Sequence, residues 1–186
     1  SGGTIPADNG PWRDGKGSYY EGGTRVIALA NWPGRIAPGS VVDSPIHVVD
    51  MFPTLAKLAG TSAGGDKPLD GMDVWPTIAS GAPSPRTEVI YGIEPHQAAI
   101  RQGRWKLVWQ TLLPTGVELF DLDADPGETR NVAASHPEIV AGLQARLEAE
   151  AGKAAQPLIF VHGLEALKQW MFGKVATPAD LATPGH

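Results

Sequence analysis

Lys16 stands between Gly15 and Gly17 in the stretch Asn9-Gly10-Pro11-Trp12-Arg13-Asp14-Gly15-Lys16-Gly17-Ser18-Tyr19-Tyr20-Glu21-Gly22-Gly23-Thr24-Arg25-Val26. Glycine on both sides leaves the ammonium sterically unshielded. A loop just ahead of an apolar run can present such a group to an anion as a point charge. On spacing alone, a solvated loop lysine is the better reading. Around it, Glu21 is placed to anchor the loop through backbone amides, and Arg13 and Arg25 to pair with nearby carboxylates; these three read as structural groups.

The other chemistry-bearing residues form weaker patterns. The five histidines, His47, His96, His136, His162 and His186, show no H-x-x-x-H or similar ligand spacing, so a transition-metal site has no support. His96, just beyond a predicted strand ending at Ile93, is the one histidine that could edge a substrate pocket. Asp121, Asp123 and Asp125 match the first acidic positions of a calcium loop. Pro126 then stands where such a loop needs glycine, and Val132 where it needs glutamate, so a surface turn is the better reading. With no cysteine, the chain has no disulfide, no thiolate ligand and no cysteine nucleophile.

The elements that must position these residues follow from hydrophobic pattern and turn chemistry. Thr24 to Ala30 reads as a buried strand, ended by Trp32-Pro33-Gly34. Asp50 to Gly60 reads as a short helix with Asp50 as N-cap and Gly60 as its stop, and with Met51, Leu55 and Leu58 on one face. Residues 61–87, rich in Gly and Pro, form a long connection with one helical turn near Val74 to Ile78. Short runs then follow at Glu88 to Ile93, Gln97 to Ile100, Trp105 to Gln110 and Glu118 to Leu122. With Arg101-Gln102-Gly103-Arg104 as a turn, they predict a small antiparallel sheet. Ser135-His136-Pro137-Glu138 has a capping-box pattern, and Ile139, Leu143 and Leu147 recur at helical spacing, predicting a helix over 137–150 that covers one sheet face. The resulting division is 1–87 as the end of a larger α/β domain, 88–155 as a small β subdomain with its helix, and 156–186 as a wrapping tail with its last ten residues disordered.

Composition bounds the class. The chain has 186 residues, 42% hydrophobic and 19% charged, with a net charge of −5. It is too apolar for disorder and too interrupted by polar residues for a membrane span. Its acidic balance excludes a basic nucleic-acid footprint. The 23 Gly and 17 Pro predict long shaped loops between short elements, where sites are often built.

On these residues the chain resembles the sulfatase family. GPWRDGKGSYYEGGTRV is similar to the segment in which a loop lysine precedes an aromatic pair and Glu-Gly-Gly. HVVDMFPTLAKLAG resembles the family's helix, KPLDGMDVWPTIASGAPSPRTEVIYGIEP the connection in arylsulfatase B-like members, and AIRQGRWKLV with ELFDLDADPGETRNVA its C-terminal subdomain. The resemblance runs over residues 8–148 in the family's order. It implies an α/β fold of the alkaline phosphatase type, here the end of the large sheet domain plus a small antiparallel sheet with one packed helix. It also implies sulfate ester hydrolysis, with Lys16 contacting the sulfate group.

The same resemblance places the family's remaining machinery upstream of Ser1. That machinery comprises a Cys or Ser in a C/S-x-P-x-R motif oxidised to formylglycine, the Ca²⁺ ligands, and further Lys and His residues. The look-alike Ser80-Gly81-Ala82-Pro83-Ser84-Pro85-Arg86 has the wrong spacing, because with Pro83 as the motif's proline Gly81 falls at the nucleophile position. Asp8-Asn9-Gly10 imitates a family Asp-Asn calcium pair but lies too near the lysine, so it reads as a turn. The implied partners are a sulfate ester and the N-terminal portion of the same sulfatase, and the isolated chain is expected to be inactive. Family habit implies periplasmic, secreted or lysosome-like export of the intact protein. Two alternatives remain open: a non-catalytic or complementing module, and a phosphonate or phosphodiester hydrolase of the same superfamily.

Overall fold

The computed structural model describes residues 8–94, 97–110 and 116–153. Residues 1–148 form one compact unit and residues 149–186 a second. His96 and the predicted wrapping tail beyond residue 155 lie outside the described residues.

The short runs of the middle of the chain form the expected sheet. β1 (Glu88–Glu94), β2 (Gln97–Gln102), β3 (Trp105–Gln110) and β4 (Gly116–Asp121) pair antiparallel in sequence order. Gly103, at φ 58°, supplies the left-handed turn between β2 and β3 that a side chain would disfavour. The register puts Leu107 opposite both Ile100 and Leu119. Two-residue alternation then sends Ala98, Ile100, Leu107 and Leu119 to one face, where Leu143 and Leu147 of α4 (Pro137–Ala151) close the core. Each buried leucine there stabilises the layer by about 1.5–3 kcal/mol.

The opposite face holds Ala99, Val108 and Phe120, joined by Leu122 and covered by Tyr20, with Tyr19 and Tyr91 at its margin. The segment that carries Lys16 is thus the second cover of the sheet. Helix α4 starts at Pro137 as expected, but Ser135 is not the residue that leads into it. His136 is the residue before the helix and its carbonyl accepts from Ile139 and Val140, Pro137 takes the first helical position, and Ser135 belongs to a preceding 3₁₀ turn, Ala133–Ser135.

The predicted strand at Thr24 to Ala30 is not formed. Glu21–Thr24 is a single helical turn, α1, and residues 25–30 have no regular structure. Val26, Ile27 and Leu29 are 85%, 92% and 94% exposed. A strand needs a ladder partner for its N–H and C=O groups. Among the described residues the four sheet strands pair only with one another, so the run has none.

Helix α2 (Met51–Leu58) lies where expected, with Gly60 at φ 73° closing it. Asp50 does not cap it through its side chain. Its fully buried carboxylate instead accepts from the N–H groups of His47 and Met72 and pairs with Arg86, tying the helix to the chain just before β1. Phe52 and Leu55 remain exposed on α2. The expected helical turn within the long connection is α3 (Trp75–Ser80).

Candidate functional site

Lys16 sits exposed near the tip of a loop whose backbone is held at several points. Asn9 Nδ2 donates to the Asp14 carbonyl at 2.8 Å, Ser18 N–H to that of Gly15 at 3.1 Å, and Gly22 N–H to that of Arg13 at 2.9 Å. Asp14 takes φ 62° and Gly17 φ 94°, two left-handed residues flanking Gly15-Lys16 that turn the chain out and back. Gly10 N–H donates to Asp8 Oδ1, making Asp8-Asn9-Gly10 the turn expected from its sequence. Among the described residues Lys16 makes no hydrogen bond or ion pair, so its charge is uncommitted.

Glu-Gly-Gly has a distinct steric task for each residue. A Cβ at Gly22 would overlap the carbonyl oxygens of Arg13 and Asp14, and one at Gly23 those of Gly15 and Ser18. The lysine loop therefore lies directly on the α1 backbone, an approach that only glycine permits. Glu21 is buried beneath it. Its backbone N–H donates to Glu128 Oε2 at 2.6 Å, its Oε1 accepts from Lys106 Nζ at 2.8 Å, and its Oε2 from Arg25 Nε at 2.6 Å.

Lys106 is fully buried on the sheet face that the loop covers, between Glu21 and Glu128 and 4.7 Å from the Tyr91 ring centroid. Glu128 Oε1 lies 2.9 Å from Lys106 Nζ but outside hydrogen-bonding geometry, so attraction there is Coulombic rather than directed. Burial pushes the Glu21 carboxyl up, yet Lys106 and Arg25 outweigh it and hold the group below the ordinary range. For Glu128 burial wins over Lys106, and its carboxyl is raised.

The expectation that Glu21 anchors the loop through backbone amides is thus corrected: its carboxylate binds cations, and its own amide is the donor. Arg25 does pair with Glu21, and its guanidinium also lies 3.9 Å over the Trp12 ring. Arg13 stacks 3.8 Å over Tyr20 and donates to the Glu128 carbonyl at 3.0 Å, while the Tyr20 hydroxyl bonds Glu118. Sequence reading missed Lys106 and Glu128. The available signal was a lysine alternating with apolar residues in Trp105-Lys106-Leu107-Val108-Trp109, which places it on a covered face.

Among the described residues no group of three or more His, Asp or Glu side chains is placed to hold a metal ion. Asp121 instead pairs with Arg104, and Asp125 accepts from Thr129 and from the Arg130 N–H, so that acidic run is a surface turn.

The chain belongs to the sulfatase family: the family model described as N-sulphoglucosamine sulphohydrolase, C-terminal, matches residues 11–153. Similar relatives include Arylsulfatase J of Mus musculus, 33% identical over 62% of this chain and 20% of its own length. Arylsulfatase A of Bos taurus is 35% identical over 81% of this chain and 37% of its own. The crystal structure of Ps i-CgsB is 29% identical, with a TM-score of 0.71 over 81% of this chain and 34% of that one. The chain therefore spans between a fifth and two fifths of the length of these proteins.

Proposed function

We propose that the chain is the C-terminal part of a sulfate ester hydrolase, in which Lys16 contacts the sulfate group. The observation that carries this reading is the uncommitted ammonium of Lys16 on a loop whose backbone is held by Asn9, Ser18 and Gly22. Cleaving a sulfate ester builds negative charge on the nonbridging and leaving oxygens, and a fixed cation stabilises that charge.

In this reading, 1–87 completes a larger α/β domain and 88–155 is the small sheet domain. Family members of this kind use formylglycine and Ca²⁺. Among the described residues there is no ligand set for the metal; in this reading the metal and the formylglycine are supplied by further chain. The exposed run Val26, Ile27 and Leu29 supports dependence on further chain, because a paired neighbour would remove it from water.

The test compares hydrolysis of 4-nitrophenyl sulfate by the full-length protein with that of its Lys16→Ala variant. Removing a preorganised charge-stabilising group is expected to lower kcat by about 10²–10³-fold. The 186-residue chain alone is expected to turn over none. Unchanged turnover in Lys16→Ala would refute the role of Lys16, and turnover by the isolated chain would refute its dependence on the rest.

A further inference from the structure

We propose that the buried cluster of Glu21, Lys106 and Glu128 is the positioning device of the Lys16 loop, so that two residues on the small sheet and its following turn set where the sulfate-contacting ammonium lies. The proposal rests on the assignment of Lys16 given above. Its observations are independent of that assignment.

The path from sheet to lysine is continuous. Lys106 Nζ lies 2.8 Å from Glu21 Oε1 and 2.9 Å from Glu128 Oε1, and all three side chains are essentially fully buried. Glu128 also receives the Glu21 N–H at 2.6 Å, which fixes the first residue of α1. Next to it, Gly22 and Gly23 carry the carbonyls of Arg13, Asp14, Gly15 and Ser18 on their bare backbone. A displacement of Glu21 is therefore transmitted to Gly15 and Ser18, the residues bracketing Lys16.

Two further features point the same way. Glu128 adopts φ 54°, an uncommon conformation for a residue with a side chain, while its side chain is fully buried against Lys106. Removing one member of a buried charge cluster leaves the others uncompensated, so the three charges hold one another in place. Tyr91, at the irregularity in the β1 register, closes the cluster, its hydroxyl 3.5 Å from Glu21 Oε1.

The test uses the full-length protein with Glu128→Ala, Glu128→Gln and Lys16→Ala, read by steady-state kinetics on 4-nitrophenyl sulfate and by amide hydrogen exchange. Glu128→Ala removes both the acceptor for the Glu21 N–H and the anion facing Lys106. It is expected to lower kcat/KM about 10²-fold, the effect of misplacing a reacting contact by about 1 Å. Exchange should rise across residues 13–24 while β2 and β3 stay protected. Glu128→Gln keeps an acceptor oxygen and should recover at least tenfold of that loss. If Glu128→Ala does not fold, Glu21→Gln carries the same test, since it takes the anion from Lys106 and Arg25 while keeping its shape.

Unchanged exchange at residues 13–24 in the folded variant overturns the proposal. So does kcat/KM within twofold of wild type when Lys16→Ala is inactive. If Lys16→Ala retains full turnover, the sulfate-contact reading fails, and the exchange pattern alone decides whether the cluster holds the loop.

Discussion

Replacing Asp50 by Asn isolates the contribution of one buried charge, because shape is preserved and only the second acceptor oxygen is lost. In the native chain Asp50 Oδ2 accepts from His47 N–H at 2.8 Å and Arg86 Nε at 2.8 Å, while Oδ1 accepts from Met72 N–H at 2.9 Å and from Arg86 Nη2. Whichever way the amide is turned, one pair of donors faces an NH₂ group. Two buried donors left unpaired cost about 1–3 kcal/mol each. Arg86, only 10% exposed, also loses its counter-charge, and breaking one side of a buried ion pair costs about 3–5 kcal/mol. These two routes describe the same loss, so about 3–5 kcal/mol is expected in total. The assay is urea unfolding in dilute solution followed by tryptophan fluorescence. Lys57→Ala is the control, since its partner Asp73 lies 2.6 Å away but Lys57 is 72% exposed, and such pairs contribute only about 0–1 kcal/mol. The pH dependence gives a second check. Burial would raise the Asp50 carboxyl, but Arg86 and the two amides hold it below its ordinary 3.8. Its contribution is therefore complete above that value and is lost as pH falls through the lower folded value. The gap between wild type and Asp50→Asn should narrow in acid. A loss below about 1 kcal/mol at neutral pH, or a gap that widens in acid, would refute this account of the site.

Leu147→Ala, which hollows the contact of α4 with the sheet, is expected to destabilise the chain by about 2–5 kcal/mol in the same denaturation assay. Gly22→Ala must push its methyl into the Arg13 and Asp14 carbonyls, so it should loosen residues 13–18 in hydrogen exchange and lower turnover of the full-length protein, with sheet protection unchanged. The same substitution at Gly116, where a Cβ meets nothing within 4 Å, should leave both readouts as they are.

The parts of the fold that were legible in the sequence share a physical cause. Alternation in β3 and the Arg101-to-Arg104 turn are local, and local pattern is sufficient where a hairpin supplies its own partners. The same reading over Thr24 to Ala30 predicts a strand that does not form, because the run is apolar but no described strand pairs with it. Asp50 was misassigned for a related reason. Its position before an apolar helix suggests a cap, yet its partner Arg86 is 36 residues away, beyond any local pattern. The exposure of Lys16 was legible because the glycines that free it are adjacent to it, whereas the buried residues beneath its loop were not. Lys106 and Glu128 follow Glu21 by 85 and 107 residues, and although the alternation around Lys106 puts it on a covered face, nothing local pairs it with Glu21 or turns Glu128 inward.

That separation has a consequence for the order of biosynthesis. Glu21 leaves the ribosome well before Glu128, and at about 5–20 residues per second the 107-residue separation takes roughly 5–20 s to translate. Throughout that interval the lysine loop exists without its anchor. The local turn bonds of residues 9–22 can form early, but the buried acceptor for the Glu21 N–H arrives only when the turn bearing Glu128 has emerged.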